Sequence, residues 1–356
     1  MNFIFMLFFA AFFFIACKHQ STPRPTASKP RTYRMGFQNF PPKPDQTIAL
    51  QALDLWTKRS DAAIISIQVP WAQLYSGTTP QQYIADNFKD LVSYYRGKNL
   101  KLWVYIDPAN GLDRSTDATD LTALHKSIAQ PAVQQLYSRF AFLMDSLLKP
   151  EHMGLALETN AIRDVSPDSV YQGIKAAANK TAALIRGYDK QVKLSVSVQA
   201  DYAWGLLNGG PYLGIDKDFT DFPFVQELGI SSYPYFVFDK PQDIPANYYS
   251  RLIQGHNIPV FISEGGWSTA TVGTYTGTPQ KQQDYITKQG QLLDGVSAIA
   301  YFQLLFSDLD PSVFPPSTPD NVNLFTHIGL TDDGLNPKPA LGNWDAIFKR
   351  SLVTGN

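Results

Sequence analysis

Two glutamates stand where a short apolar run stops. In "VFISEGGWST" (260–269) four strand-like residues lead to Glu264, then two glycines and a tryptophan; in "MGLALETN" (153–160) a similar run leads to Glu158. A carboxylate closing a buried strand is either a reagent or a polar strand end held in a salt bridge. Side chains alternate between the faces of a strand. That parity puts Gly154, Ala156 and Glu158 on one face, and Val260, Ile262 and Glu264 on one face of the other run. In a closed barrel those faces would turn both carboxyls to the axis. Retaining cleavage of a glycosidic bond needs two such groups, about 5–5.5 Å apart. One protonates the leaving oxygen and the other attacks the anomeric carbon.

The elements that could position them recur along the chain. Short β-rich runs occupy 34–40, 62–70, 100–108, 153–160, 193–200, 228–235, 259–266 and 296–304. Between most of them apolar residues fall at helical intervals, as in "PQQYIADNFKDLVSYYRGK", "AVQQLYSRFAFLMDSLL", "SVYQGIKAAANKTAALIRG" and "KQQDYITKQGQLLDG", with a last helix in "KPALGNWDAIFKR". Strand then helix, repeated eight times with near-continuous apolar strands, predicts an α/β fold, a (β/α)8 TIM barrel. A doubly wound open sheet is the rival; eight units and no Gly-rich first turn count against it.

In such a barrel chemistry sits where strands end and the following loops begin. The rim residues are amides, carboxylates and aromatics, a mixture suited to an uncharged sugar. Gln38, Trp71, Tyr105, Asn160, Tyr233, Trp267 and Gln303 are the expected substrate-binding residues there, with Trp204 from a long loop after the fifth strand. Asp107 and Asp201 also fall at strand ends. The loops "ANGLDRSTDATD", "DYAWGLLNGG" and "FSDLDPSVFPP" would shape a cleft.

With Glu at the ends of its fourth and seventh strands, the chain resembles clan A glycoside hydrolases. Within them it is most similar to the arabinogalactan endo-β-1,4-galactanase family, through "LGISSYPYF", "ISEGGW" and, more loosely, "KPEHMGLALETN". The resemblance implies Glu158 as acid/base, Glu264 as nucleophile, Tyr233 donating a hydrogen bond to Glu264, and Trp267 offering a face to a sugar ring. Leu157 stands where the clan usually carries Asn, and "AYFQLLF" lacks its eighth-strand Trp. These departures bear on the substrate, and leave open a barrel that binds glycan without cleaving it.

Other chemistries find little support. "GLALE" has Gly154 and Ala156 where a chitinase-type barrel needs aspartates, and the histidines are scattered without metal-ligand spacing. No cofactor motif, nucleophile elbow or phosphate loop is present. A net charge of −1 gives no footprint for nucleic acid. Charged residues make up 17% and aromatics 13%, a balance that fits a neutral ligand as well as it fits a large core. The apolar start "MNFIFMLFFAAFFFIACKHQ" reads as a lipoprotein signal peptide over 1–16, with acylation of Cys17, the only cysteine. Residues 17–33, rich in Pro, Ser and Thr, would tether a catalytic body at 34–356 to a membrane of the bacterial cell envelope, outside the cytoplasm. A monomer is expected.

Overall fold

The apolar runs fold into eight parallel strands. The computed structural model describes residues 29–353. Strands β1 (Arg34–Phe37), β2 (Ala62–Gln68), β3 (Lys101–Asp107), β4 (His152–Gly154), β5 (Lys193–Gln199), β6 (Glu227–Ser232), β7 (Val260–Gly265) and β8 (Ala298–Gln303) pair in the order β1-β8-β7-β6-β5-β4-β3-β2. The helices are α1 (Gln46–Thr57), α2 (Trp71–Tyr75), α3 (Pro80–Gly97), α4 (Thr119–Ala123), α5 (Pro131–Leu148), α6 (Thr159–Val165), α7 (Asp168–Tyr188), α8 (Ala200–Ala203), α9 (Asp216–Asp221), α10 (Pro279–Leu293) and α11 (Pro339–Phe348). This is the (β/α)8 TIM-barrel fold.

Alternation along the strands sorts the apolar residues into two layers. Ala62, Ile64, Trp103, Tyr105, Phe261, Ala300 and Phe302 fill the barrel interior together with Leu157. Met35, Phe37, Val104, Ile106, Val260, Ile262 and Tyr301 belong to the larger layer that also holds the buried faces of the helices. The barrel closes at the seam between β1 and β2 by an isolated bridge, Gln38 to Ile64, and by Asp61. The Met35 amide donates to Asp61 Oδ1 at 2.6 Å, and the Asp61 amide to the Met35 carbonyl at 2.9 Å.

Three expectations are corrected. The fourth strand stops at Gly154 instead of running to Asn160, and residues 155–158 form an irregular segment before α6. The sixth crossover carries no α-helix among the described residues, only short 3-10 segments and turns. Pro234, Pro241, Pro245 and Pro259 lie in that stretch and lack the amide that an i→i−4 ladder needs. The folded body also begins before residue 34. Tyr33 is fully buried, and Arg31 pairs with Asp61 at 2.6 Å and bonds to the strand-like C-terminal segment around Leu352. Cys17 and the signal-peptide reading lie outside the described residues. Among the described residues no helix is long and apolar enough to cross a membrane.

Candidate active site

The carboxyl of Glu264 reaches the barrel mouth by a route that simple parity misses. Val260 and Ile262 face outward into the helix layer, and Phe261 faces the interior. Continued alternation would send Glu264 outward with them. However, Ile230 pairs with Ile262 while the next residue, Ser231, pairs with Glu264, so Ser263 is an extra residue in β7. This β-bulge resets the alternation and turns Glu264 inward beside Ser231. Gln38 donates its Nε2 to the Ser263 carbonyl at 3.3 Å and so braces the bulge from β1.

Glu158 also arrives by an irregular path. Gly154 faces inward, with the Tyr105 ring so close that a Cβ there would lie 2.3 Å from it. Beyond Gly154 the parity breaks, because Leu155 and Ala156 join the outer layer and Leu157 the inner. Glu158 then adopts the left-handed conformation, φ 48° and ψ 45°. For a residue with a Cβ that conformation costs about 1–2 kcal/mol. Neighbouring bonds hold it there: its amide donates to Ser197 Oγ at 2.9 Å, and its carbonyl accepts from Ile162 at 3.1 Å.

Around the two carboxyls sits a connected polar cluster. The Ser231 hydroxyl donates to Glu158 Oε1 at 2.5 Å. Arg114, from the loop after β3, donates through Nε to Glu158 Oε2 at 2.8 Å and through Nη1 to Asp107 Oδ2 at 2.7 Å. Burial and the charge of Glu158 push the Glu264 carboxyl up to about 7, against the opposing pull of Arg114 and Ser231. Ser231, which bonds Glu158, therefore also lies close to Glu264. The Asp107 carboxyl is raised as well, chiefly by burial and against the pull of Arg114. Asp201 is pushed up to about 6 by burial; it accepts from the Tyr233 amide at 3.0 Å, from Gln199 Nε2 at 2.9 Å and from the Tyr248 hydroxyl. It thereby anchors the start of the loop after β6.

The expected substrate contacts are placed unequally. Tyr233 is buried near both carboxyls, and burial first, then their charges, raise its hydroxyl pKa. No hydrogen bond joins that hydroxyl to Glu264 among the described residues, so the bond implied by the resemblance is not formed in this structure. Tyr105 lies inside the barrel, fully buried, bonded to Ser195 Oγ at 2.9 Å. Asn160 bonds the main chain of Gln199 through both ends of its amide, at 2.9 and 2.8 Å, and so continues the β4–β5 pairing with its side chain. Gln303 is fully buried and donates to the Ile328 carbonyl at 2.9 Å. Trp267 is fully buried between Tyr235 and Tyr285. Tyr105, Asn160 and Gln303 spend polar groups on these bonds, whereas Trp267 Nε1 is buried with no partner among the described residues. Gln38 is spent on the bulge. Trp71 is buried but lines a pocket of about 200 Å³ with Gln68 and Asp120. Half-buried Trp204 stacks on Tyr248, with the Arg251 guanidinium 4.8 Å from its ring. Neither that pocket nor a second of about 290 Å³ under Gln38 and Phe40 is lined by Glu158 or Glu264.

Sequence reasoning missed Ser231 and Arg114. Ser231 sits in the quoted sixth-strand segment, one pairing step from Glu264, and a barrel register would have exposed it. Arg114 had only its place in a long loop after the third strand as a signal.

The eight-stranded (β/α)8 barrel carrying this cluster is similar in fold to solved glycosidases. The chain is similar to a GH5_18 protein from Bifidobacterium longum subsp. longum, solved with Manβ1-4GlcNAc, at 15% identity and a TM-score of 0.62 over 91% of this chain and 80% of that one. An exo-β-1,4-mannosidase from an Opitutaceae bacterium matches at 13% identity and a TM-score of 0.67, over 91% of this chain and 60% of that one, less than two thirds of its length. Xylanase 10B from Thermotoga maritima matches at 10% identity and 0.60, over 89% and 95% of the two chains. No protein-family model and no curated protein matches the sequence.

Proposed function

We propose that this chain is a retaining glycoside hydrolase acting on a β-linked poly- or oligosaccharide, with Glu158 and Glu264 as its two reacting carboxyl groups. The observation that carries the reading is the shared surroundings of the pair: Ser231 lies beside both, and the charge of one raises the pKa of the other. Two carboxyl groups with unequal affinity for a proton are what acid-and-nucleophile cleavage requires. The mannosidase, xylanase and Manβ1-4GlcNAc-bound matches support a β-linked glycan, and the sequence resemblance narrows it to galactan-like chains. Acylation of Cys17 would hold the enzyme on the cell envelope beside such polymers.

The test is hydrolysis of β-1,4-galactan and β-1,4-mannan, with the anomer released first read by NMR. Retention gives the β-anomer first; Glu264→Ala abolishes turnover by at least a thousandfold and leaves oligosaccharide binding intact. Release of the α-anomer first overturns retention. A wild-type protein that binds these glycans and cleaves none favours the rival, a non-catalytic glycan-binding lipoprotein, which the bonding of Arg114 across Glu158 also accommodates.

A further inference from the structure

The segment after β8 makes an excursion that closes on itself and crosses the barrel mouth. The Leu309 amide donates to the Thr326 carbonyl at 3.0 Å, and the Asp308 amide to the Thr331 carbonyl at 3.0 Å, so residues 310–325 form a compact Ω-loop on a paired base. Lys338, just before α11, holds that base. Its ammonium lies 2.6 Å from Asp308 and donates to Thr269 Oγ1 at 2.9 Å. Within the loop, Pro311, Pro315, Pro316 and Pro319 fix their own φ and restrict the residues before them. The loop is stiff and firmly rooted.

Its far end is tied on two sides of the mouth. Asn321 donates through Nδ2 to the Leu112 carbonyl at 2.7 Å, in the loop after β3 that carries Arg114. Further on, the Leu324 carbonyl accepts from the hydroxyl of Tyr235, beyond β6, at 2.7 Å, and the Phe325 ring lies 5.1 Å from that of Tyr233. Round the barrel, β4 and β5 separate β3 from β6 on one side, and β7, β8, β1 and β2 do so on the other. A span from the β3 loop to the β6 loop therefore crosses the line from Glu158, beyond β4, to Glu264 on β7. We infer that residues 321–325 are a strap over the carboxyl pair, which admits the ends of glycan chains and short oligosaccharides and excludes the interior of a polymer. This rests on the chain being a glycoside hydrolase that acts through that pair.

The physical reason is topological. A strap fastened at both ends is a closed bridge, and an unbroken polymer cannot slip beneath it sideways; only an end can be inserted. Glu158 keeps 12% of its side chain exposed and Glu264 is half-buried, so both can be reached from beside the bridge. The two ties are unequal. On the β6 side Tyr233 and Tyr235 are buried, and Phe325 packs against Tyr233 and Phe236. On the β3 side the tie is an exposed hydrogen bond, which water can replace. Asn321 is thus a specificity-determining residue. Loss of its amide frees one end of the strap and opens the mouth to polymer interiors.

The experiment compares viscosity with new reducing ends on β-1,4-galactan and β-1,4-mannan, since viscosity reports internal cuts and reducing ends report all cuts. Wild type should release reducing ends with little fall in viscosity. Asn321→Ala, and a variant with residues 311–323 replaced by a Gly-Ser linker, should each give at least a tenfold greater fall in viscosity per bond broken. Early loss of viscosity with wild type overturns the strap, and so does the wild-type pattern in both variants. A second measurement needs no hydrolysis. In a chain carrying Cys17→Ser and Glu264→Cys, N-ethylmaleimide should label the introduced thiol at least tenfold faster than a branched polyethylene-glycol maleimide, relative to the same two reagents on the urea-unfolded chain. Adding Asn321→Ala should remove that difference; equal relative rates with Asn321 intact overturn the strap. Labelling as expected in a protein that hydrolyses no β-linked glycan supports the strap and overturns the hydrolase reading, so the two failures are distinguishable.

Discussion

Glu264 couples the site to stability because its charged form is disfavoured in the folded chain. Its carboxyl is raised to about 7 from an ordinary value of 4.5. A raised folded-state pKa adds stability in full below the unfolded value, and that stability is lost as pH rises through the folded value. Wild type should therefore lose on the order of 2–3 kcal/mol between pH 4.5 and 7.5 through this residue. Glu264→Gln, which cannot ionise, should melt at nearly the same temperature as wild type at pH 4.5 and a few degrees higher at pH 7.5. Melting curves across that window check it; a constant difference between the two proteins would show that the site does not strain this carboxyl. At this scale both glutamates stood out in the sequence, Glu264 within β7 and Glu158 beyond the end of β4. Their partners did not, since Ser231 and Arg114 become neighbours of Glu158 only through strand register and loop conformation. Of the residues expected to bind sugar, Tyr105, Asn160 and Gln303 are hydrogen-bonded within the fold, and Trp267 is buried among aromatics. Residue type alone does not separate a ligand contact from a satisfied core residue.

Strand parity decided less than expected, and each departure has a local cause. In β7 the extra residue Ser263 reverses the facing of everything after Ile262. In the fourth unit, Gly154 ends the strand beneath the Tyr105 ring and the chain bends into α6. The expected direction of both carboxyls was right for the wrong reason, because Val260 and Ile262 point outward and Ala156 does not share the facing of Gly154. Helices were more readable: α3, α5, α7, α10 and α11 lie within one or two residues of their periodic runs. A 3.6-residue stripe over four turns tolerates a local defect, whereas one inserted residue flips a strand. Gly154→Ala tests the close approach. Its Cβ would meet the Tyr105 ring, so overpacking should cost about 1–3 kcal/mol in urea unfolding. The cost should shrink in a Tyr105→Ala background, where the ring is gone. Equal costs in both backgrounds would mean that the ring is not what requires glycine there.

Over the whole molecule, the alternating pattern made the barrel readable, but not how it closes. The β1–β2 seam depends on Asp61, which accepts from the Met35 amide with one oxygen and from Arg31 with the other. Arg31 is nearly buried, bonds the carbonyls of Tyr33 and Phe348, and lies 5.1 Å from the Phe348 ring, so one side chain ties the entry of β1 to the end of α11. The Pro- and Ser-rich composition before it hid this, because a single buried cation leaves no periodic trace. Asp61→Ala leaves an uncompensated buried guanidinium and an unpaired Met35 amide, a loss of about 3–5 kcal/mol. Asp61→Asn keeps an acceptor for Met35 without the charge and should fall between the two. The seam is also connected to the site, since Gln38 at the end of β1 braces the carbonyl of the bulge that aims Glu264. Hydrogen exchange should therefore rise first at Met35, and hydrolysis should weaken in Asp61→Ala even where the protein remains folded. If Asp61→Ala loses under about 1 kcal/mol and Met35 stays protected, closure rests on the helices packed around the seam, and Asp61 is a surface acid with no hold on the barrel.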